Sequence, residues 1–214
     1  MKAYTHIIWD FNGTVLDDVD IGIQSANRLL KKRGLPLMSG KAEYQSKFGF
    51  PIIDYYRRLG LDFSKEPYDV MAHEWVRSYL ELAPLAPVYP GVKEAMTCFA
   101  SHGLFQVLMS ATELSMLQKQ LVDLGMAESF DLVLGLDNIY ANSKLHLAEK
   151  WRRENPTAVA LMLGDTEHDH QVAEAMGVDC FLIAQGHQNR STLEACGCPV
   201  FDDLFEVTAF LFGK

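Results

Sequence analysis

The chain of 214 residues is 49% apolar and 22% charged and carries a formal net charge of −9, enough apolar material for one globular core plus an insertion. That negative balance repels a nucleic-acid backbone and an anionic bilayer alike. The one basic run, Lys31-Lys32-Arg33, reads as a solvated helix end, so neither nucleic acid nor membrane is expected as a partner.

No stretch has the length of a membrane span and no apolar signal segment precedes the first strand, so a cytoplasmic protein is expected. Cys98, Cys180, Cys196 and Cys198 fit neither a disulfide framework nor a four-thiolate zinc site and are expected to be reduced. Nothing in the sequence sets the oligomeric state.

In chain order, residues 4–9 predict a buried strand that stops at Asp10-Phe11-Asn12-Gly13-Thr14. An acid just past a buried strand is presented to a ligand from a rigid base. Helix signals follow. Ile21, Ala26, Leu29 and Leu30 share an apolar face closed by Gly34 and Pro36. Pro51 suits the first position of a helix that Gly60 stops, and Pro67 opens a third with Tyr68, Met71, Trp75, Tyr79 and Leu82 at helical spacing. That aromatic stripe reads as packing.

After Pro84, Pro87 and Pro90-Gly91 the pattern changes to alternating strand and helix. Strands are predicted over residues 104–109, 131–134, 158–163 and 179–183, with a helix marked by Leu114, Leu117, Leu121 and Leu124 ending at Gly125. Such alternation implies a doubly wound parallel α/β sheet, Rossmann-like, with right-handed crossovers. Residues 16–86 then form an all-helical insertion above Asp10, giving a core of residues 1–15 and 87–214 with a helical cap.

Three later stretches lie where they can meet Asp10. Ser110, with Ala111 and Thr112, follows its strand and offers a hydroxyl and backbone amides, although Ser110 or Thr112 also reads as a helix N-cap. Lys144, after Asn142-Ser143, opens a helix and so opposes its dipole, which suits a negative partner. Gly164-Asp165-Thr166-Glu167-His168-Asp169-His170 crowds three carboxylates and two imidazoles into one turn. Asp165 and Asp169 are four apart and can face one hard cation, with oxygen ligands suited to Mg²⁺. Zinc held by His168, His170 and Asp165 is the weaker option, because residues two apart diverge on a helix. A carboxylate nucleophile, a cation, a Lys and a hydroxyl together suit phosphoryl transfer.

In this order and setting, Asp10-Phe11-Asn12-Gly13-Thr14, Ser110, Lys144 and Gly164-Asp165 through Asp169 resemble the four motifs of the haloacid dehalogenase superfamily. The helical insertion is similar to that of its phosphoglycolate-phosphatase-like branch. The resemblance implies a Mg²⁺-dependent phosphatase of a small phosphorylated metabolite in which Asp10 forms an aspartyl-phosphate. Asp10, the backbone carbonyl of Asn12, Asp165 and Asp169 would hold Mg²⁺. Thr14, Ser110, Ala111 and Lys144 would make up the phosphate-binding set, with Lys144 also restraining Asp10 and Thr14 positioning the loop.

One departure matters. The family's phosphatases usually carry Asp two residues after the nucleophile, to protonate the leaving oxygen and activate water, and this chain has Asn12. Loss of general acid-base catalysis raises a barrier by about 3 to 5 kcal/mol. Glu167, His168, Asp17, Asp18 or His73 could substitute, the substrate could be an acyl or aryl phosphate that needs no proton, or Asn12-Gly13 could deamidate. A slow or inactive phosphate-ligand binding protein is therefore the alternative, and a carbon-halogen or carbon-phosphorus hydrolase a further one. The latter would want a Schiff-base Lys, with Lys41, Lys47 and Lys65 available. Phe50, Arg57 and His187 are the expected substrate rim, with an Arg there available to grip a carboxylate.

Overall fold

The computed structural model describes residues 2–140 and 143–213; Asn142, named above as part of the setting of Lys144, lies outside them. Among the described residues one six-stranded sheet, all parallel, runs in the order β3-β2-β1-β4-β5-β6. The strands are β1 His6–Trp9, β2 Phe105–Glu113, β3 Leu132–Leu136, β4 Ala160–Gly164, β5 Asp179–Ile183 and β6 Val200–Phe201.

Central parallel strands are covered on both faces and so read as unbroken apolar runs. Ile7, Ile8 and Trp9 are fully buried, with Ile7 and Trp9 in the core on one face of the sheet and Ile8 in the core on the other. Leu161 and Leu163 of β4 join the first core and Ala160 and Met162 the second, so the period-two alternation builds both layers at once.

Between β1 and β2, four helices form a unit apart from the sheet: α1 Val19–Lys32, α2 Lys41–Lys47, α3 Ile52–Arg58 and α4 Tyr68–Leu82. They share a third core of their own, in which Val19, Ala26, Leu29, Leu30, Tyr55 and Met71 are buried. Tyr79 and Leu82 at the end of α4 enter the first core instead, tying this helical unit to the sheet. The flanking helices are α5 Val92–Ser101, α6 Leu114–Asp123, α7 Leu145–Glu154, α8 Glu167–Met176, α9 Arg190–Glu194 and α10 Leu204–Phe212. None of the helices described is long and apolar enough to cross a membrane.

Several boundaries differ from expectation. β2 continues to Glu113, past its predicted end, because a register shift between Met109 and Glu113 keeps it paired to β3. Ser110 therefore sits inside the strand. Pro51 precedes α3 as its N-cap, one residue outside the predicted first turn. The short β6, α2, α9 and α10 were not anticipated.

Candidate active site

The sheet order reverses at β1, and in open α/β sheets that switch point is where the strand ends leave a crevice. Trp9 is in register with Leu108 of β2 and Leu163 of β4. Asp10 and Asp165, just past their strands, and Ser110, inside β2 two residues beyond Leu108, are consequently brought to the same end of the sheet. Lys144, the N-cap of α7, and His187, in the loop after β5, complete the ring.

One carboxylate oxygen from each of Asp10, Asp165 and Asp169 lies within 4.8 Å of the others, all three residues being buried. Lys144, 1% exposed, donates to Asp10, to Asp169 Oδ1 at 2.7 Å and to the Met109 carbonyl at 3.0 Å. Burial alone would lower its pKa, and the charges of Asp10 and Asp169 reverse this and raise it, so Lys144 is a permanent cation. The Asp10 carboxyl is pushed well above the usual range by burial, against the pull of Lys144. Burial likewise carries Asp165 up to about 6. Asp169 is held below the ordinary range because Lys144 and its hydrogen bonds outweigh its burial.

One lysine does not balance three buried acids, so a divalent cation fits the donor set, and the hard oxygens suit Mg²⁺. His168 and His170 take no part in this cluster. His168 stacks on Phe50 with ring centroids 4.4 Å apart, and His170 pairs with Glu174.

The turn after β1 is shaped by contact. Gly13 has φ +76°, and a Cβ there would meet Asp165 Oδ2 at 2.2 Å. The Thr14 hydroxyl donates to Asp165 Oδ1 at 3.0 Å, so Thr14 braces an acid beneath the loop, and it is not among the residues that line the cavity described below. Asp169 is anchored from its other oxygen, which accepts from the backbone N–H groups of Asp165 and Thr166 and from the Thr166 hydroxyl at 2.7 Å. This is a capping box at the start of α8.

Asn12 is fully committed to protein partners. Its side-chain nitrogen donates to Asp18 Oδ2 at 2.7 Å and to the Tyr79 hydroxyl at 2.8 Å, and its oxygen accepts from the Thr112 hydroxyl at 2.8 Å. Asp18 stands at the N-cap of α1 yet makes no cap bond. Its carboxylate instead takes Asn12, the Gly13 N–H at 3.0 Å, the Tyr79 hydroxyl at 2.7 Å and His187 Nε2 at 3.2 Å. Burial would raise the Asp18 carboxyl, but His187 first, then Tyr79 and Asn12, bring it below its ordinary value. Burial would lower His187, but Asp18 lifts it to about 9, and its Nδ1 meets the Tyr44 hydroxyl at 2.7 Å. Sequence reasoning had Asp18 among five candidate acids and His187 on the rim, and missed the role of the Tyr79 hydroxyl.

Asp10, Asn12, Ser110, Ala111, Lys144 and Asp169 line a cavity of about 140 Å³ between the helical unit and the strand ends, with Phe50 and His187 also on its wall. Arg57 is not among the lining residues. It pairs with Asp54 on α3 and lies over Phe63. Nor does α6 offer free amides below Ser110, because the Glu113 side chain caps Ser115 and Met116. Lys41, Lys47 and Lys65 bind the Gln185 carbonyl, Glu43 and Asp62, away from the cavity.

The sequence is 25% identical over 207 residues to Probable phosphatase IndB of Dickeya dadantii, covering 93% of this chain and 89% of that protein. It is also 25% identical over 210 residues to a phosphoglycolate phosphatase of Pseudomonas syringae, covering 92% and 76%. Among solved structures, the haloacid dehalogenase-like family protein SP0104 of Streptococcus pneumoniae has the same fold, with a TM-score of 0.80 at 21% identity over 99% of this chain and 100% of that one. Residues 7–183 match the sequence model of the haloacid dehalogenase-like hydrolases, and the chain belongs to that family.

Proposed function

We propose that the chain is a Mg²⁺-dependent phosphatase of a small phosphorylated metabolite, acting through an aspartyl-phosphate on Asp10. The observation that carries this reading is the buried cluster of Asp10, Asp165 and Asp169, in which Lys144 pairs with Asp10 and Asp169 and these three line a cavity. The relatives named as phosphatases support it.

Asp10 would attack phosphorus through one carboxylate oxygen, and the bond from phosphorus to the leaving oxygen would break with its electron pair departing on that oxygen. Water would then attack phosphorus, the bond from phosphorus to the Asp10 oxygen would break to return the carboxylate, and inorganic phosphate would leave, the proton of the water passing to solvent. Lys144 fixes the Asp10 side chain and offsets phosphoryl charge, while Ser110 and the backbone around Ala111 line the position of the phosphate. Mg²⁺ held by Asp10, the Asn12 carbonyl, Asp165 and Asp169 would supply further neutralisation of the phosphoryl oxygens. We take the helical unit of α1 to α4 as a cap that encloses the substrate.

Phosphate release from a panel of phosphate esters and acyl phosphates, with and without Mg²⁺, tests this. Turnover that needs Mg²⁺ and disappears in Asp10→Asn is the expected result, and silence toward the whole panel would overturn it. A second reading, a phosphate-ligand binder without turnover, is favoured by one observation, the complete engagement of the Asn12 amide within the protein. Ligand binding with no release would select it.

A further inference from the structure

Building on the phosphatase reading, we propose that the substrate is an aryl phosphate, the phosphate monoester of a phenol that bears no other charge, with its ring seated among the aromatic side chains of the cavity.

Two independent observations meet here. The first is the character of the wall. Above the acids and Lys144, the cavity is enclosed by Phe48, Phe50, Tyr55, Tyr68, Trp75 and Tyr140. Phe48 and Phe50 meet edge to face at 6.0 Å, and the Tyr68 and Tyr140 rings lie 6.2 Å apart, tilted to one another. Flat rings pack well against such a wall, in offset or edge-on contact. Among the described residues, Lys144 is the one Lys or Arg lining the cavity, and it already holds Asp10 and Asp169. His187 is engaged by Asp18 and Tyr44. Arg58 donates to the Lys47 carbonyl, and Arg57 pairs with Asp54. Among the described residues no Lys or Arg of the wall is left to receive a carboxylate on the leaving group, and Glu113 and Asp18 on the same wall would repel one.

The second is Asn12. An amide whose two donor contacts and one acceptor contact are all taken by protein groups cannot hand a proton to a departing oxygen. An alkoxide leaving unprotonated has a basicity near that of hydroxide, whose conjugate acid has a pKa of about 16. A phenolate, with a conjugate acid near pKa 10, departs without that help. The wall selects the ring and the missing acid selects the bond.

Two measurements test the proposal separately from the phosphatase reading. In calorimetric titrations with Mg²⁺ present, phenylphosphonate is expected to bind at least tenfold more tightly than 3-phosphonopropionate, and Phe50→Ala, checked for folding by circular dichroism, to narrow that preference by threefold or more. In phosphate-release assays, phenyl phosphate is expected to turn over at least a hundredfold faster than benzyl phosphate, which keeps the ring but must release an alkoxide. Equal or tighter binding of 3-phosphonopropionate would overturn the ligand class whatever the turnover, and comparable rates for the phenyl and benzyl esters would overturn the leaving-group argument. Silence toward both esters with the binding preference intact would remove the phosphatase reading and still support the aromatic ligand.

Discussion

The side-chain amide of Asn12 donates to the Asp18 carboxylate at 2.7 Å, and Asp18 is 2% exposed. A carboxylate at position 12 would therefore press against a buried carboxylate. Asn12→Asp alone is expected to lose about 1–3 kcal/mol of stability. In the exchange Asn12→Asp/Asp18→Asn the donor moves to residue 18 and the Tyr79 hydroxyl can turn to residue 12, so most of the loss should return when stability is measured near pH 10, where His187 is largely neutral and its ion pair with Asp18 no longer counts. Urea denaturation of the native chain and both variants reads this directly. An exchange variant no more stable than Asn12→Asp would refute the pairing argument.

The same exchange restores an acid two residues after Asp10. Release of phosphate from alkyl esters is expected to rise by about 10²-fold or more over the native chain, with a smaller gain for phenyl phosphate, whose leaving group needs less help. Equal gains for both would mean that residue 12 does not act on the leaving oxygen.

Lys144 is the cation between Asp10 and Asp169. Lys144→Met is expected to destabilise the chain by about 3–5 kcal/mol when metal is chelated, because two buried acids lose their partner. Mg²⁺ should restore part of this. A loss under 1 kcal/mol in chelator would show that those acids are neutral without Lys144.

The Asp18–His187 contact sets a pH dependence. His187 titrates at about 9 in the fold, above its ordinary 6.5, so the stability it supplies is complete below pH 6.5 and fades as pH rises through about 9. Asp18 is shifted down, so its share is present above its ordinary value of 3.8 and is lost as pH falls through its lowered folded value. The difference in unfolding free energy between the native chain and His187→Gln should then include about 3 kcal/mol from this titration near pH 6 that shrinks toward pH 10. A difference independent of pH across that range would contradict the ion pair.

Gly186 lies against the Asp165 carboxylate, where an added Cβ would come within 2.1 Å of Oδ2. Gly186→Ala should push that side chain out of the acid cluster. A loss of at least tenfold in Mg²⁺ affinity, measured by the metal's effect on thermal unfolding, is the expected result. Unchanged metal dependence would remove Asp165 from the donor set.

The strands were readable because parallel strands buried on both faces are continuous apolar runs, and the acids because nothing structural asks for so many in one turn. What escaped has physical reasons. Helix α2 buries only Tyr44, so it carries no apolar period, and β6 is two residues long. Ser110 to Glu113 reads as a polar loop and becomes strand through pairing with a shifted register. The link between Asp18 and His187 joins the two ends of the chain and leaves no local trace. Tyr79 was visible as one member of an aromatic stripe, whereas its hydroxyl is what matters. Arg57 pairs with Asp54 one turn earlier, a local partner that competes with any role on the rim.

The register of β1 also bears on how the protein is made. His6 aligns with Phe105 on one side and with Ala160 on the other, so the first strand synthesised has no neighbour until those distant segments leave the ribosome. The helical unit between them has its own apolar core and can collapse while β1 waits. Asp10, carried on that waiting strand, is set in position only when β4 closes beside it. A nascent chain halted before residue 160 would hold the aromatic wall of its pocket and lack Asp165 and Asp169 of its acid cluster.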